Sequence, residues 1–150
     1  MSNIVNPRYL PGKILPPNIV PAISWEEVFD LLGAAGNSGT GSAGSTGNAE
    51  IVINGLPSHA LHLFQQNYHR KPLLSLLEQG VPLVSLTKGI DTETLKLSDD
   101  ILFDLFRPHE NLFCFLSGPS YEEEILEQQI TLVSLAGKSR STLIKVSHML

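Results

Sequence analysis

The sequence predicts an α/β fold in which an open, parallel sheet is flanked by helices. Short apolar runs alternate with longer stretches whose apolar residues recur at helical spacing, the pattern of βαβ crossovers. The runs are continuously apolar rather than alternating, as strands covered on both faces require. Two of them, 82–87 and 111–116, end at small-residue turns, Thr87-Lys88-Gly89 and Ser117-Gly118-Pro119-Ser120. Ligands bind at the carboxyl ends of strands in such sheets, so a cation and a Gly-Pro-Ser turn placed there point to an anionic small-molecule site.

Taken in order, residues 6–21 hold Pro7, Pro11, Gly12, Pro16, Pro17 and Pro21, which rules out a long helix or a central strand. Only Asn18-Ile19-Val20 could pair briefly. Ser24 with Glu27 fits a capping box, and Trp25, Val28, Phe29, Leu31 and Leu32 supply a helical apolar stripe. Residues 33–48 are rich in Gly, Ser, Thr and Ala without a charge, and they read as a flexible loop. Within them Gly39-Thr40-Gly41-Ser42-Ala43-Gly44 matches the G-x-G-x-x-G spacing. That spacing means dinucleotide binding only between a strand and a helix, and neither flanks it.

Residues 50–56 read as a strand. Pro57-Ser58 then opens a helix with Ser58 as its cap and Leu61, Leu63 and Phe64 on its apolar face. Pro72 kinks or restarts it, Leu73, Leu74, Leu76 and Leu77 continue it, and Gly80 ends it. After strand 82–87 comes a helix near 93–106 carrying Leu95, Leu97, Ile101, Leu102, Leu105 and Phe106. Strand 111–116 leads to a short acidic helix near 120–128. A last strand, 130–135, precedes a helix from about 139.

At 150 residues the chain is long enough for one domain or a piece of a larger one. The net charge of −5 comes with scattered basic residues, which excludes an electrostatic footprint for nucleic acid or anionic membrane. Cys114 is the single cysteine, has no internal disulfide partner, and sits in an apolar run as a core filler. The opening Met1-Ser2-Asn3-Ile4-Val5-Asn6 lacks the pattern of a secretory signal, and no apolar run approaches the roughly 18 residues of a membrane span. A reducing, soluble setting is expected.

Four stretches carry a resemblance to a known family. Asn6-Pro7-Arg8-Tyr9-Leu10-Pro11-Gly12, followed by Leu15-Pro16-Pro17-Asn18-Ile19, is similar to "N-P-x-Y-L-P-G … L-P-x-N-I". Ala49-Glu50-Ile51-Val52-Ile53 through Pro57-Ser58-His59-Ala60-Leu61 is similar to "A-D-x-V-V … V-P-S-x-A-L". Thr87-Lys88-Gly89-Ile90 matches "T-K-G-I/L". Ser117-Gly118-Pro119-Ser120-Tyr121, with Glu124 and Ile125 behind it, matches "S-G-P-S-F … E-V". In this order the chain resembles the glycerol-3-phosphate dehydrogenases of bacterial type.

The resemblance implies a partial Rossmann-like, NAD-binding domain over residues 1–150, with a low-complexity insertion at 33–48. It implies an oxidoreductase of glycerol-3-phosphate, glycerophospholipid and carbohydrate metabolism. The reaction is hydride transfer between NAD or NADP and the sn-glycerol 3-phosphate/dihydroxyacetone phosphate pair. Lys88 takes the family's place where cofactor and substrate meet, as a catalytic, substrate-binding and cofactor-binding residue. A fixed ammonium there can stabilise charge developing on the C2 oxygen. Gly118 and Ser120 correspond to substrate-contacting positions, and Tyr9 and Pro57 line the cofactor groove. The position of Glu122 also falls beside the cofactor. The family usually has alanine there, and a carboxylate beside an anionic cofactor is unfavourable unless it points away. A cytoplasmic location follows by the same resemblance, with plastid or glycosome left open, and a homodimer is one option for the full-length enzyme.

The family's opening strand with its G-x-G-x-W-G loop, and its helical second domain with the proton-transferring lysine, have no counterpart in these residues. The chain is therefore expected to be a fragment, lacking the first βαβ unit and the C-terminal helical domain, and inert by itself. The alternative is a non-catalytic remnant or interaction protein that keeps half a dehydrogenase domain. Simpler readings stand beside the sharper ones. Lys88 could be a solvated loop lysine, and Ser120 a helix cap before Glu122, Glu123 and Glu124. His59 and His62 share a helix face, but no carboxylate or cysteine nearby completes a metal set, so no metal is expected.

Overall fold

A computed structural model describes residues 5, 6, 8, 10–14, 16, 18–36, 49–118, 127, 129, 130 and 132–150. At the N-terminal end, β1 (Val5–Asn6) and β2 (Leu10–Ile14) pair antiparallel in a small sheet of their own. Asn18-Ile19-Val20, the stretch there that could have paired briefly, makes no strand among the described residues. Pro11 is tolerated because a two-stranded ribbon leaves outward N–H positions unpaired, and Gly12 takes φ +77° within it.

Helix α1 (Trp25–Gly36) starts where the capping pattern placed it. The Glu27 N–H donates to Ser24 Oγ at 3.2 Å, while the Glu27 carboxylate accepts from the Ile23 N–H at 2.9 Å, one residue before the expected partner. The helix runs on to Gly36, into the stretch predicted to be a loop; residues 37–48, including the glycine-spaced fragment, lie outside the described residues.

The main sheet has the order β3-β4-β5-β6, formed by β3 (Val52–Asn54), β4 (Leu83–Ser85), β5 (Phe113–Ser117) and β6 (Ser134–Gly137). The first three are parallel, with Asn54 opposite Ser85 and Ser85 opposite Phe115, so their carboxyl ends share one edge. β6 corrects the expectation of a parallel last strand. It runs antiparallel to β5, Cys114 facing Gly137 and Ser117 facing Ser134, and it lies later than the predicted 130–135. Ile130, Leu132 and Val133 stay exposed. Such an antiparallel edge on an otherwise parallel sheet is common in α/β proteins, and its one-sided burial is what an edge allows.

Between β3 and β4 the chain forms a 3₁₀ segment (Ser58–Gln65) and then α2 (Asn67–Glu78). Ser58 is not a cap: its hydroxyl donates to the Ile90 carbonyl at 3.3 Å. Nor does Pro72 break the helix, because the interruption falls at Gln66, whose carbonyl accepts from the His69 and Arg70 N–H groups. α2 ends as expected. Gly80 has φ +79°, its N–H reaches the Leu77 carbonyl, and the Val81 N–H reaches that of Leu76, a Schellman pair.

The helix expected near 93–106 is shorter, α3 (Ser98–Phe106). Asp91 accepts from the Thr94 N–H (2.9 Å) and hydroxyl (2.6 Å), closing a turn that leaves Leu95 at φ +54° and Leu95 and Leu97 exposed. A 3₁₀ segment (Arg107–Leu112) leads into β5. Helix α4 (Arg140–Ser147) is capped by Ser139, whose Oγ accepts from the Thr142 N–H. The acidic helix predicted at 120–128 cannot be placed, since 119–126 and 128 lie outside the described residues.

Burial on both faces of the sheet follows. One face packs Leu61, Phe64, Leu73, Leu77, Leu83, Leu102, Phe106 and Phe113 beneath α2 and α3. Edge-to-face contacts link Phe64, Phe106 and Phe113, and Phe103 stacks on Phe113. The other face packs Val84, Cys114 and Val146 beneath α4. Fully buried neighbours on both sides of β4 explain its unbroken apolar run. This is a partial Rossmann-like α/β fold with a mixed sheet.

Candidate functional site

The parallel register brings the ends of β3, β4 and β5 to one edge, and the loops that leave them carry the candidate residues. Lys88 lies three residues beyond Ser85, and Gly118 directly follows Ser117. The Lys88 Nζ donates to the Gly118 carbonyl oxygen at 3.1 Å. Two residues singled out 30 positions apart in the sequence therefore meet at the mouth of the sheet. Lys88 is exposed, and an ammonium has three donors, so the bond to Gly118 leaves two directed at solvent or a ligand.

Each glycine here has a local reason. Gly89 has φ +94°, a left-handed turn that redirects the chain straight after the lysine. Gly118 is needed for close approach: a Cβ there would stand 2.6 Å from the Leu132 carbonyl oxygen and 3.0 Å from the Val133 Cα.

Pro57 stands exposed after β3, at the head of the 3₁₀ segment, where its carbonyl accepts from the Ala60 N–H at 2.9 Å. Its loop is tied to the lysine's loop by a network that sequence reasoning missed. The Asn54 amide donates to Ser85 Oγ (3.3 Å) and to Thr87 Oγ1 (3.0 Å) and accepts from the Leu56 N–H (3.1 Å). Thr87 Oγ1 in turn donates to the Leu56 carbonyl at 2.8 Å. Asn54 is 5% exposed and Ser85 1% exposed. The available signal was a polar residue closing each of two apolar runs, Asn54 after Ile51-Val52-Ile53 and Ser85 after Leu83-Val84. The structure thus brings Lys88 and Gly118 together and joins the loop of Pro57 to them, whereas Tyr9, Ser120 and Glu122 lie outside the described residues.

Two cavities lie away from this pair. One, of about 390 Å³, is apolar and sits between the start of α1 and β3, with Trp25, Val28, Val52, Leu56 and Phe64 in its wall. The Trp25 indole N–H donates to His69 Nδ1 at 3.2 Å beside it. The other, of about 420 Å³, is polar and includes His62, Asp91, Lys96 and Asp104. Hydrogen bonds from Thr94 hold the Asp91 carboxyl below its ordinary value, and Lys96, 2.6 Å from Asp104, lowers that carboxyl too. His62 Nδ1 contacts the His59 carbonyl at 2.6 Å and must carry the proton there, because a carbonyl only accepts. Among the described residues, no three His, Cys, Asp or Glu side chains are grouped to hold a metal. Burial pushes the Cys114 thiol up, in keeping with a core role. No helix among the described residues is long and apolar enough to cross a membrane.

The family described as NAD-dependent glycerol-3-phosphate dehydrogenase N-terminus matches residues 40–143. A glycerol-3-phosphate dehydrogenase [NAD(P)+] of Ectopseudomonas mendocina (strain ymp) is 33% identical over 145 residues, 97% of this chain and 35% of the relative. One from Leptospira biflexa serovar Patoc is 25% identical over 148 residues, 98% of the chain and 38% of the relative. Glycerol-3-phosphate dehydrogenase [NAD(P)+] 2 of Mycobacterium tuberculosis (strain ATCC 25618 / H37Rv) is 28% identical over 142 residues, 93% of the chain and 36% of the relative. The chain spans little more than a third of the length of these relatives. With most of its length matched, the chain belongs to the family of NAD-dependent glycerol-3-phosphate dehydrogenase N-terminal domains.

Proposed function

We propose that this chain is the nucleotide-domain portion of an enzyme that interconverts sn-glycerol 3-phosphate and dihydroxyacetone phosphate with NAD or NADP, in the cytoplasm. The observation that carries the reading is the contact between Lys88 Nζ and the Gly118 carbonyl at the carboxyl edge of the parallel strands. The family match supports the reading independently.

The residues fit a dinucleotide at this edge. Apart from chain neighbours, no described residue comes within 4 Å of the Cβ positions of Gly55 and Gly89, which lets a ligand approach the backbone, and the exposed ammonium of Lys88 suits an anion. A bound nicotinamide supplies the hydride donor or acceptor. In this reading Lys88 orients the substrate through its two remaining donors and stabilises negative charge on the C2 oxygen, with Gly118 holding the ammonium in place. Ser120 contributes a hydroxyl to the substrate, and Tyr9, Pro57 and the position of Glu122 border the cofactor.

The test uses the full-length natural protein. Adding dihydroxyacetone phosphate should cause oxidation of NADH or NADPH, followed by the loss of its absorbance. A folded protein that oxidises neither coenzyme with this substrate would overturn the proposal.

A further inference from the structure

We propose that Asn54 is a positioning residue that sets where the Lys88 ammonium stands, an inference that rests on the role given to Lys88 above. Asn54 closes β3 and faces Ser85, which closes β4. Three contacts use its side chain: the two donor contacts cross to the end of β4 at Ser85 Oγ and to the lysine's loop at Thr87 Oγ1, and the carbonyl oxygen takes the Leu56 N–H. The amide orientation follows from the network, since an N–H at Leu56 requires an oxygen opposite it.

The result is a closed ring. Asn54 binds Thr87, Thr87 binds the Leu56 carbonyl, and the Leu56 N–H returns to Asn54. Thr87 is held a second time through its own N–H, which donates to Ser85 Oγ at 3.3 Å. Lys88 is the next residue, so its backbone inherits a position fixed from two sides. Further along, Ser98 donates to the Thr87 carbonyl and Ser58 to that of Ile90. The same ring ties the loop of Lys88 directly to the loop that leads to Pro57. An apolar residue at 54 would keep the strand but leave the Leu56 N–H and the two hydroxyls without their central partner.

A double-mutant cycle in the full-length protein tests this. Asn54→Leu should lower kcat/KM for dihydroxyacetone phosphate by about 10- to 100-fold, the cost of a misplaced group. In a Lys88→Met background the same substitution should change kcat/KM by less than about twofold, because the residue it positions is gone. Equal losses in both backgrounds, or no loss with Lys88 present, would overturn the proposal. Ser85→Ala, which removes one arm of the network, serves the same cycle if Asn54→Leu does not fold. Amide hydrogen exchange gives a readout independent of activity. Asn54→Leu should speed exchange at Leu56 and Thr87, whose N–H groups donate within the network, at least about tenfold while the Leu77 and Val146 amides hold. Unchanged exchange in the lysine's loop defeats the inference even if the enzyme is active. Faster exchange in an enzyme indifferent to Lys88→Met instead defeats only the assigned reaction.

Discussion

Replacing Gly118 by alanine perturbs the site through a single added carbon. That carbon would stand 2.6 Å from the Leu132 carbonyl oxygen and 3.0 Å from the Val133 Cα, both backbone atoms that cannot rotate aside. Reaching the closest ordinary C···O spacing of about 3.3 Å requires the two segments to part by roughly 0.7 Å. Overpacking of this kind costs about 1–3 kcal/mol. For a domain of this size that is a fall in Tm of about 2–12 °C. The same movement acts on the Gly118 carbonyl, which holds Lys88 at 3.1 Å, close to the limit of a hydrogen bond. Thermal melts and steady-state kinetics of the full-length protein read both effects, and kcat/KM should fall about tenfold or more with the loss of Lys88 placement. If Gly118→Ala melts and turns over as the parent does, the close approach at Leu132 and the carbonyl's hold on Lys88 are both wrong.

Two further perturbations address the scaffold. Phe106→Ala removes a ring that is 1% exposed and touches Phe64 and Phe113, and should cost about 3–5 kcal/mol in urea unfolding; a loss under about 1 kcal/mol would contradict the packing described. The Asp91 carboxyl lies below its ordinary 3.8 because Thr94 donates to it twice, so it adds stability above 3.8 that disappears as pH falls through the lower folded value. Thr94→Val should bring that loss to higher pH in denaturation curves taken between about pH 5 and 2, and an unmoved acid limb would refute the assignment.

Much of this architecture was legible because it depends on local chemistry. Ser24 and Gly80 bound their helices through hydrogen bonds made within one turn of chain, which spacing alone reveals. The meeting of Lys88 with Gly118 followed from two adjacent parallel strands, each ending in a small-residue turn. What stayed hidden depends on longer or competing contacts. Strand direction is not written in an apolar run, and β6 pairs antiparallel through a close approach at Gly137, where a Cβ would lie 2.6 Å from the Phe113 carbonyl oxygen. Leu95 and Leu97 fit a helical stripe, yet the hydrogen bonds of Asp91 to Thr94 close a turn there first. Ser58 looked like a cap because serine often is one, but Ile90, 32 residues on, claims its hydroxyl. Asn54 escaped notice for a similar reason, since its partners Ser85 and Thr87 lie on another strand and its loop.

The central claim is that the amine of Lys88, held at the sheet's carboxyl edge, acts on the phosphorylated three-carbon substrate. Kinetics of Lys88→Met in the full-length protein test it most directly. Because the side chain is exposed, the fold should survive with a melt close to the parent's, while kcat/KM falls about 100- to 1,000-fold. A folded Lys88→Met protein that reduces dihydroxyacetone phosphate as fast as the parent would contradict the account.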